Sequence, residues 1–310
     1  MRARRYTIAC LAGDGIGPEL MAEASRAIEA VSRLHGFRVE ELHVPFGGDA
    51  VRRFGHPLPP ATRAACRQAD AVLIAATREP ALDGVKAELD LTWRITRVRL
   101  ARHGDVALVS PVDPEAEDLA VERAFRLARS RKAKVTSVGT SEQWFNAVQA
   151  ATERHAGVIV EHVPVELVLP VLASDPARFD VIVTQEVFAE ALSNMAAFAH
   201  EDVRMVASGR MSSAGDGIFG PTHGSAPEIA GQGVANPMAM LLAASLMLGE
   251  GLGERAAAET LERGVADALE DGVRTPDLVH TGPAATTRQF MDVLLAGLPS
   301  ARRDTEFAHS

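Results

Sequence analysis

Short apolar runs alternate with segments of helical spacing at the start of the chain. Residues 6–12, 37–44 and 71–76 are apolar or alternating runs of strand length. Between them, residues 20–35 and 60–68 place apolar side chains at the spacing of an amphipathic helix. Alternation of strand, helix and strand is typical of a parallel sheet covered by helices. The pattern therefore predicts the α/β class.

The same alternation continues through the middle of the chain and gives way to helices at the end. Further strands are predicted at residues 92–100, 106–109, 134–138, 158–162 and 179–184. Further helices are predicted at residues 115–131, 143–155, 164–173 and 187–199. Residues 208–233 are rich in glycine and are predicted to form a loop, which long helices follow at residues 237–252, 254–270 and 286–298. The polar residues 300–310 are predicted to fray.

Composition limits the classes of partner. Of the 310 residues, 47% are hydrophobic and 24% are charged, which suits one large globular domain or two smaller ones. A formal charge of -9 argues against nucleic acid and anionic membranes, because both need a basic surface. The apolar run after the basic N-terminus is too short for a secretory signal or a membrane span, so we expect a cytoplasmic protein. The two cysteines, Cys10 and Cys66, are predicted to be buried free thiols.

Two motifs carry a resemblance to a known family. Residues 11–19 read L-A-G-D-G-I-G-P-E, and residues 223–237 read H-G-S-A-P-E-I-A-G-Q-G-V-A-N-P. Both resemble the β-decarboxylating dehydrogenases, the family of isocitrate, isopropylmalate and tartrate dehydrogenases. Residues 178–197 resemble the strand and acidic helix of that family. The resemblance implies the isocitrate/isopropylmalate dehydrogenase-like fold, with two α/β domains and a central cleft.

The resemblance also implies a division into domains and a homodimer. Residues 1–92 and 206–310 would form a larger domain on the cofactor side. Residues 93–205 would form a smaller domain for substrate binding and dimerisation. Because the family shares its active site across a dimer, we expect the apolar helices near 187–199 and 237–252 to support that contact.

The second motif is implied to bind the adenosine end of a nicotinamide cofactor. The candidates for cofactor binding are His223, Gly224, Ser225, Ala226, Pro227, Glu228, Ile229 and Asn236. Gly224 allows close approach of the backbone, and His223 and Asn236 offer hydrogen bonds to adenine. Glu228 stands where the family commonly places an aspartate against the ribose. A carboxylate repels a 2′-phosphate, so NAD is favoured over NADP. The alternative is a loop that is kept as a fold element without a ligand.

The metal ligands that the family uses are changed in this sequence. Two of its three metal-binding aspartates correspond to Glu190 and Asn194, and the third corresponds to Glu166. Two carboxylates and one amide remain a possible oxygen site for Mg²⁺ or Mn²⁺. The alternative is a solvated helix face without a metal.

The tyrosine and lysine with which the family transfers protons are absent. The chain has one tyrosine, Tyr6, which lies far along the sequence from the family's position near residues 110–114. Lys132 and Lys134 precede the strand that the family's lysine follows, and residues 139–142 in that place contain no lysine. We call the second motif, residues 223–237, the adenosine loop. A glutamate that often precedes this loop in the family is replaced by Gly220.

The family binds substrate carboxylates with basic side chains. In this sequence the basic residues of the corresponding stretch stand at shifted positions. Lys86, Arg94, Arg97 and Arg99 lie in the corresponding stretch, and Arg97 and Arg99 share one face of the predicted strand. Arginine binds a carboxylate through two parallel hydrogen bonds. We therefore assign Lys86, Arg94, Arg97 and Asn194 as candidates for substrate binding. An exposed strand face with no ligand is the alternative.

These changes predict a member of the family whose chemistry has been repurposed. It would act on a small carboxylated or acyl substrate, retain the NAD pocket and lack the metal-dependent oxidative decarboxylation. The acid–base candidates that border the old site are Glu142, His162, Glu166 and Glu190. Two alternatives stay open: a non-catalytic paralogue that regulates an active dehydrogenase subunit, and an active NAD-dependent hydroxy-acid dehydrogenase with an altered metal site.

Overall fold

A computed structural model of the chain describes residues 4–76, 79–100, 104–198, 206–279 and 281–299. The predicted fraying of residues 300–310 lies outside these residues, as does the last residue of the helix predicted at 187–199. Among the described residues, no helix has both the length and the apolar character needed to cross a membrane.

Strands of the described residues pair into one ten-stranded mixed sheet. They are β1 (Arg5–Gly13), β2 (Arg38–His43), β3 (Ala71–Ala76), β4 (Leu91–Leu100), β5 (Gly104–Pro111), β6 (Lys134–Val138), β7 (Ile159–His162), β8 (Val181–Thr184), β9 (Val206–Ser212) and β10 (Gly217–Pro221). Their spatial order is β2-β1-β3-β10-β9-β4-β5-β8-β6-β7.

The helices connect and cover these strands. They are α1 (Gly17–His35), α2 (Gly47–Phe54), α3 (Pro60–Gln68), α4 (Glu79–Lys86), α5 (Glu117–Arg129), α6 (Glu142–Arg154), α7 (Val165–Ser174), α8 (Glu186–Phe198), α9 (Met238–Leu246), α10 (Arg255–Glu270) and α11 (Thr287–Gly297). The predicted α/β class is confirmed, and the structure shows that its strands form one large mixed sheet. Helices α2 and α4 were not predicted, because each has only eight residues.

Two parallel halves of the sheet are joined by antiparallel strands at its centre. Strands β2, β1, β3 and β10 are parallel to one another, and so are β5, β8, β6 and β7. Between the halves, β10, β9, β4 and β5 pair in antiparallel fashion. The division into domains at residues 92–93 would cut β4 close to a bulge, whereas the division at 205–206 falls where β9 begins. That division stays a prediction.

The loop predicted at residues 208–233 is wrong in its first half, which forms β9 and β10. The glycines there serve packing around an aromatic ring. A Cβ atom on Gly209 would lie 2.8 Å from the ring of Phe219, and one on Gly217 would lie 3.1 Å from it. Phe219 is completely buried. Glycine therefore makes room for a ring inside the sheet, which composition alone cannot distinguish from a flexible turn.

The helix predicted at residues 237–252 is present, but its amphipathic character is wrong. All nine residues of α9 are buried, and α9 ends at Leu246, where a π-helical turn from Met247 to Gly251 follows. A helix that is apolar on every side belongs to the core. It packs against α10, β9 and β10. This helix therefore cannot provide the dimer contact that we expected of it.

Helix α1 follows its predicted pattern and begins three residues earlier than predicted. Pro18 occupies its first turn, where the missing N–H of proline costs nothing. Gly36, at a φ of 71°, ends the helix in the left-handed conformation. The buried face matches the apolar spacing and includes Leu20, Met21, Ala24, Ile28 and Val31.

Candidate functional site

The two motifs from opposite ends of the sequence meet where the carboxyl ends of β1 and β3 lie side by side. Strands β1 and β3 end side by side, and the N–H of Asp14 donates to the carbonyl of Ala76 at 2.8 Å. The N–H of Ile16 donates to the carbonyl of Ser225 at 2.9 Å, which joins the first motif to the second. Oε1 of Glu19, in the first turn of α1, is buried and has no hydrogen-bond partner. The junction therefore contains a polar group that a ligand would satisfy.

Gly15 allows the close approach of the two motifs. Its φ is +57°, and a Cβ atom there would lie only 1.8 Å from the carbonyl oxygen of Ser225. Gly36 also has a left-handed φ of +71°, but no atom lies within 4 Å of the corresponding Cβ position. The two glycines thus share backbone strain and differ in the space around them.

We expect Gly15→Ala to lower thermal stability more than Gly36→Ala does. Both variants place alanine at a positive φ, which costs about 1–2 kcal/mol, and only Gly15→Ala must also push Ser225 away. Thermal unfolding of the two variants measures the difference. Equal melting temperatures would show that the motifs do not touch as described.

The imidazole of His223 presents an unused acceptor atom. Its Nδ1 lies 3.0 Å from the carbonyl oxygen of Gly224, so Nδ1 carries the proton. Burial lowers the pKa of His223, which keeps the ring neutral at pH 7, although its backbone contacts act in the opposite direction. Nε2 is buried without a hydrogen-bond partner. A neutral ring with a bare Nε2 can accept a hydrogen bond from an amino group such as that of adenine.

The rest of the adenosine loop is open on one side and anchored on the other. Gly224, Pro227 and Glu228 are exposed, and no atom lies within 4 Å of a Cβ position on Gly224. Ile229 is half-buried against the core. Asn236 is buried, where its Nδ2 donates to Asp277 at 2.9 Å and its Oδ1 accepts from the N–H of Met238 at 2.9 Å. The Asn236 amide therefore positions the start of α9, while the exposed residues leave room for a nucleotide.

Three polar side chains form a row across the sheet, which we call the arginine row. Arg94 in β4 is the direct partner of Ser110 in β5 and of Arg210 in β9. Directly opposite residues of antiparallel strands share a face, with Cβ atoms about 5 Å apart. Nη2 of Arg94 and Oγ of Ser110 are both buried without a hydrogen-bond partner. Because buried polar groups are almost always bonded, the row fits an anionic or polar ligand.

The electrostatics of the arginine row favour an anion. Burial lowers the pKa of Arg94, and the charge of Arg210 lowers it further, whereas Glu186 and Glu190 in α8 act in the opposite direction. Among the described residues, neither arginine forms an ion pair. Two guanidinium groups placed opposite each other repel. A carboxylate between them would remove that repulsion and accept their hydrogen bonds.

Helix α4 lies beside the row. Lys86 donates to Asp83 at 2.8 Å. This bond is the main cause of the lowered pKa of Asp83, to which Arg210 also contributes. Lys86 was predicted to bind substrate, and it is bonded to Asp83, whose pKa Arg210 also lowers.

The prediction that Arg97 binds substrate is wrong. Arg97 lies on the opposite face of β4 from Arg94, where its Nε donates to Asp105 at 2.8 Å and its Nη2 donates to Glu262 at 3.0 Å. Arg99 shares that face, 3.9 Å from Glu262, as the alternation predicted. The carboxylates that hold Arg97 belong to the chain itself. Among the described residues, this face is therefore part of an ion-pair cluster whose own carboxylates already bind Arg97.

Comparison with known proteins identifies the family. The family model for isocitrate/isopropylmalate dehydrogenase matches residues 7–98 and 104–294. The chain belongs to this family. The 3-isopropylmalate dehydrogenase of Synechococcus sp. is 34% identical, over 90% of this chain and 95% of that protein. That of Streptococcus mutans is 33% identical, over 94% of this chain and 99% of that protein. The resemblance predicted from the two motifs is confirmed.

Solved structures of the isocitrate/isopropylmalate dehydrogenase family have the same fold. A β-decarboxylating dehydrogenase from Thermococcus kodakarensis matches with a TM-score of 0.81 at 25% identity, covering 94% of this chain and 95% of that one. An isocitrate dehydrogenase from Methylococcus capsulatus matches with a TM-score of 0.80 at 27% identity, covering 94% and 98%. The sequence therefore diverged while the scaffold was kept.

The family generally depends on NAD and a divalent metal, and the metal candidates of this chain lie on two helices that contact each other. Glu190 and Asn194 lie one turn apart on α8, and Glu166 lies in the first turn of α7. All three side chains are exposed. Among the described residues, no third histidine, cysteine or carboxylate joins Glu166 and Glu190 within ligand range. The metal site at Glu166, Glu190 and Asn194 therefore stays a prediction.

The four acid–base candidates are likewise separate. Glu142, His162, Glu166 and Glu190 are all exposed, and among the described residues no hydrogen bond or ion pair joins any two of them. The ring of His162 contacts that of Phe145, with centroids 5.3 Å apart. Their catalytic roles stay predictions.

A polar network occupies the place of the missing lysine. Gln185, at the end of β8, donates to Glu117 at 2.7 Å and to Ser141 at 3.1 Å. Its Oε1 accepts from the N–H of Thr140 at 2.9 Å. Ser141 in turn caps α6 by accepting from the N–H of Trp144. The loop at residues 139–142 is thus held by hydrogen bonds with Gln185.

The sole tyrosine and Lys134 form contacts outside the arginine row. The hydroxyl of Tyr6, near the start of β1, donates to Glu254 at 2.8 Å. Lys134 donates to the carbonyl of Arg178 and pairs with Glu161. Lys132 precedes β6 and follows α5. The contacts of Tyr6 and Lys134 are thus made with other parts of the chain.

Gly220 cannot simply be returned to the glutamate of the family. A Cβ atom on Gly220 would lie 2.8 Å from the carbonyl oxygen of Ile74 in the neighbouring strand. Backbone atoms cannot move as a side chain can. The glycine is therefore now part of the packing between β10 and β3.

Sequence reasoning missed Arg210, Ser110 and Glu186. Arg210 was hidden in the predicted loop, and Ser110 lay just beyond the end of a predicted strand. An arginine within a strand-like run could have indicated this site, because a buried cation needs a partner to offset the cost of burial.

Proposed function

We propose that this protein is an enzyme that binds a small carboxylated or acyl substrate at the arginine row and NAD at the adenosine loop. In this proposal, the metal-dependent oxidative decarboxylation of the family has been lost and the chemistry repurposed. The observation that carries the proposal is the row itself, in which Arg94 and Ser110 keep buried, unpartnered atoms. Family membership and the absence of the tyrosine and lysine pair support it.

The row would hold the substrate by its negative charge. A guanidinium group offers a fork of donors that matches a carboxylate, and two such groups would orient a small anion between β4 and β9. Ser110 would donate or accept one further hydrogen bond. Glu186 and Glu190 lie close enough to influence Arg94, so they are the nearest carboxylates for acid–base work on a bound substrate. Nothing in this scheme requires a metal.

The adenosine loop would hold the nucleotide by the residues that are free to do so. His223 would accept from the adenine amino group through Nε2, and Glu228 would accept from the ribose hydroxyls. A carboxylate at that position disfavours a 2′-phosphate, which supports NAD over NADP. Bound NAD would supply a hydride acceptor.

A homodimer is part of the proposal, and exposed apolar side chains support it. Ile159 at the edge strand β7 is 67% exposed, Leu167 in α7 is 60% exposed, and Val187 in α8 is 74% exposed. Exposed apolar groups gathered on neighbouring elements mark association surfaces. Glu166 lies in α7 beside Leu167, so association there would bring a second subunit to this residue.

Two alternatives have their own support. The exposed apolar side chains and the scattered acid–base candidates would also suit a non-catalytic paralogue that completes a neighbour's active site. The 34% identity to a 3-isopropylmalate dehydrogenase supports an active NAD-dependent hydroxy-acid dehydrogenase with an altered metal site. Turnover of a hydroxy acid with NAD and Mn²⁺ would establish that last reading.

Calorimetric titration with NAD, NADP and NADH tests the nucleotide site. We expect NAD to bind, and Glu228→Ala to weaken it about tenfold or more, since a hydrogen bond to a charged group contributes about 1.5–3 kcal/mol. Glu259→Ala, an exposed glutamate of α10, is the matched control and should bind as the wild type does. Absence of binding for every nicotinamide nucleotide would leave only redox-neutral catalysis or a regulatory role.

A further inference from the structure

A cysteine, a glutamate and a histidine converge at the edge of the sheet, away from the site described above. Cys10 lies in β1, and Glu41 and His43 lie two residues apart in the edge strand β2. Cys10 and His43 are direct partners in the parallel pairing of the two strands. Because side chains two residues apart share a face, all three point to the side that α1 covers. One ligand atom from each of the three lies within 4.8 Å of the others.

Among the described residues, the three side chains have few contacts besides those among themselves. Nε2 of His43 lies 2.9 Å from Oε2 of Glu41, and the hydroxyl of Ser25 in α1 donates to the same oxygen at 2.6 Å. Sγ of Cys10 has only a weak contact with the carbonyl of Ile8 at 3.9 Å. Ser25 therefore orients the glutamate, as outer hydrogen bonds orient metal ligands. The cysteine sulfur lacks a strong partner.

The chemistry of this donor set selects a particular class of metal. Thiolate, imidazole and carboxylate together are ligands of Zn²⁺, at bond lengths of about 2.0–2.3 Å. Hard cations such as Mg²⁺ and Mn²⁺ prefer oxygen ligands and do not favour a thiolate. A tetrahedral ion with these bonds places its ligands about 3.5 Å apart, so a small inward movement of each side chain closes the set.

We propose that Cys10, Glu41 and His43 bind a Zn²⁺-class ion through three protein ligands, with water as the fourth. Binding would release the thiol proton of Cys10 to solvent, and His43 would bind as the neutral imidazole. His43 is 57% exposed at the side chain and Cys10 is buried, so the ion would lie at the boundary between solvent and core. The ion would link the edge strand β2 to β1.

An ion bound at this site would affect the segments that lead into the first motif. Cys10 lies three residues before Gly13, where the first motif begins its turn. His43 is the last residue of β2, and the chain then continues to Gly48, whose N–H donates to Asp14 of the same motif at 2.7 Å. An ion at this edge would therefore fix the two segments that lead into the motif. We expect stabilisation of the fold, independent of any substrate.

Titration with Co²⁺ alone tests the proposal on the full chain, prepared without a histidine tag and stripped with a chelator. Co²⁺ takes the place of Zn²⁺ and gives a thiolate-to-cobalt absorption band in the near ultraviolet. We expect one equivalent to bind with that band, Zn²⁺ to displace it, Mg²⁺ to leave it unchanged, and Zn²⁺ to raise the melting temperature.

Three variants decide whether these residues hold the ion. Cys10→Ala should abolish the thiolate band, and His43→Ala should weaken Co²⁺ binding at least tenfold. Cys66→Ala, which removes the other buried cysteine, should keep both band and affinity. If Cys10→Ala fails to fold, His43→Ala keeps the test decisive because its side chain is largely exposed. No band in the wild type, or unchanged affinity in His43→Ala, would overturn the proposal.

Discussion

Replacing Arg94 by alanine is expected to weaken the binding of small carboxylates by about 30-fold or more. Removing one partner of a desolvated charge pair costs about 2–5 kcal/mol. Arg94 is the central member of the arginine row and keeps a buried Nη2 without a partner. Arg210→Ala should weaken binding as well, because both guanidinium groups would hold the same anion. Arg94→Lys should recover only part of the affinity, since an ammonium group lacks the planar fork.

Thermal stability separates binding from structure in this experiment. Because Arg94 and Arg210 lie opposite each other and repel, Arg210→Ala should leave the melting temperature of the free protein unchanged or raise it by up to about 3 °C. Residues that merely hold the fold together would lower it instead. A drop in stability together with unchanged binding would refute the assignment of Arg210 to a ligand site.

The measurement is calorimetric titration with malate, tartrate, isocitrate and 3-isopropylmalate, and with dimethyl malate as the uncharged control. Arg99→Ala is the matched variant, because Arg99 lies in the same strand on the opposite face. We expect Arg99→Ala to bind as the wild type does. A wild-type protein that binds none of the four anions would contradict the proposed substrate class while leaving the nucleotide site untested by this result.

Replacing Arg97 by methionine is expected to cost about 3 kcal/mol of folding free energy. Arg97 bridges Asp105 and Glu262 in a cluster that Arg131 extends to Asp180. Breaking a buried ion pair by removing one partner leaves an uncompensated charge and costs about 3–5 kcal/mol. Arg131 still pairs with Asp105, so we expect the lower end of that range. For a chain of this size, the melting temperature should fall by about 6–10 °C.

An exposed ion pair provides the control for Arg97→Met. Arg33 pairs with Glu29 on the surface of α1, where the two side chains are 76% and 61% exposed. Arg33→Ala should change stability by less than about 1 kcal/mol. Thermal and urea unfolding measure both variants. Similar losses in the two would mean that the cluster is as solvated as the surface pair.

The same cluster makes stability depend on pH in acid. Burial alone would raise the pKa of Asp105, but Arg97 and Arg131 outweigh it and hold that pKa well below its usual range. A carboxyl whose folded pKa is depressed contributes stability above its unfolded pKa, near 3.9. That stability is lost as the pH falls through the folded value. Arg97→Met should therefore move the midpoint of acid unfolding to higher pH.

Local patterns in the sequence predicted much of the secondary structure. The fold contains the strands predicted at residues 6–12, 71–76 and 134–138 and the helix predicted at 20–35. These elements were predictable because their apolar side chains follow the faces that are buried, one face for the helix and one or both for a strand. The same reasoning failed for β9, where Gly209 lies under the ring of Phe219. It failed again for α9, whose neighbours bury every residue. Both errors arise because local periodicity does not reveal what packs on the other side.

The sequence by itself determined the family, through two motifs, and the loss of the tyrosine and lysine pair, through the scarcity of those residues. Only the tertiary structure decided which cations are available to a ligand. Strand register places Arg94 between Ser110 and Arg210. On the opposite face of β4, Arg97 binds Asp105 and Glu262. These partners lie far apart in the chain, and register depends on the pairing of whole strands. Residue identity therefore set the possible chemistry, while packing chose where it can occur.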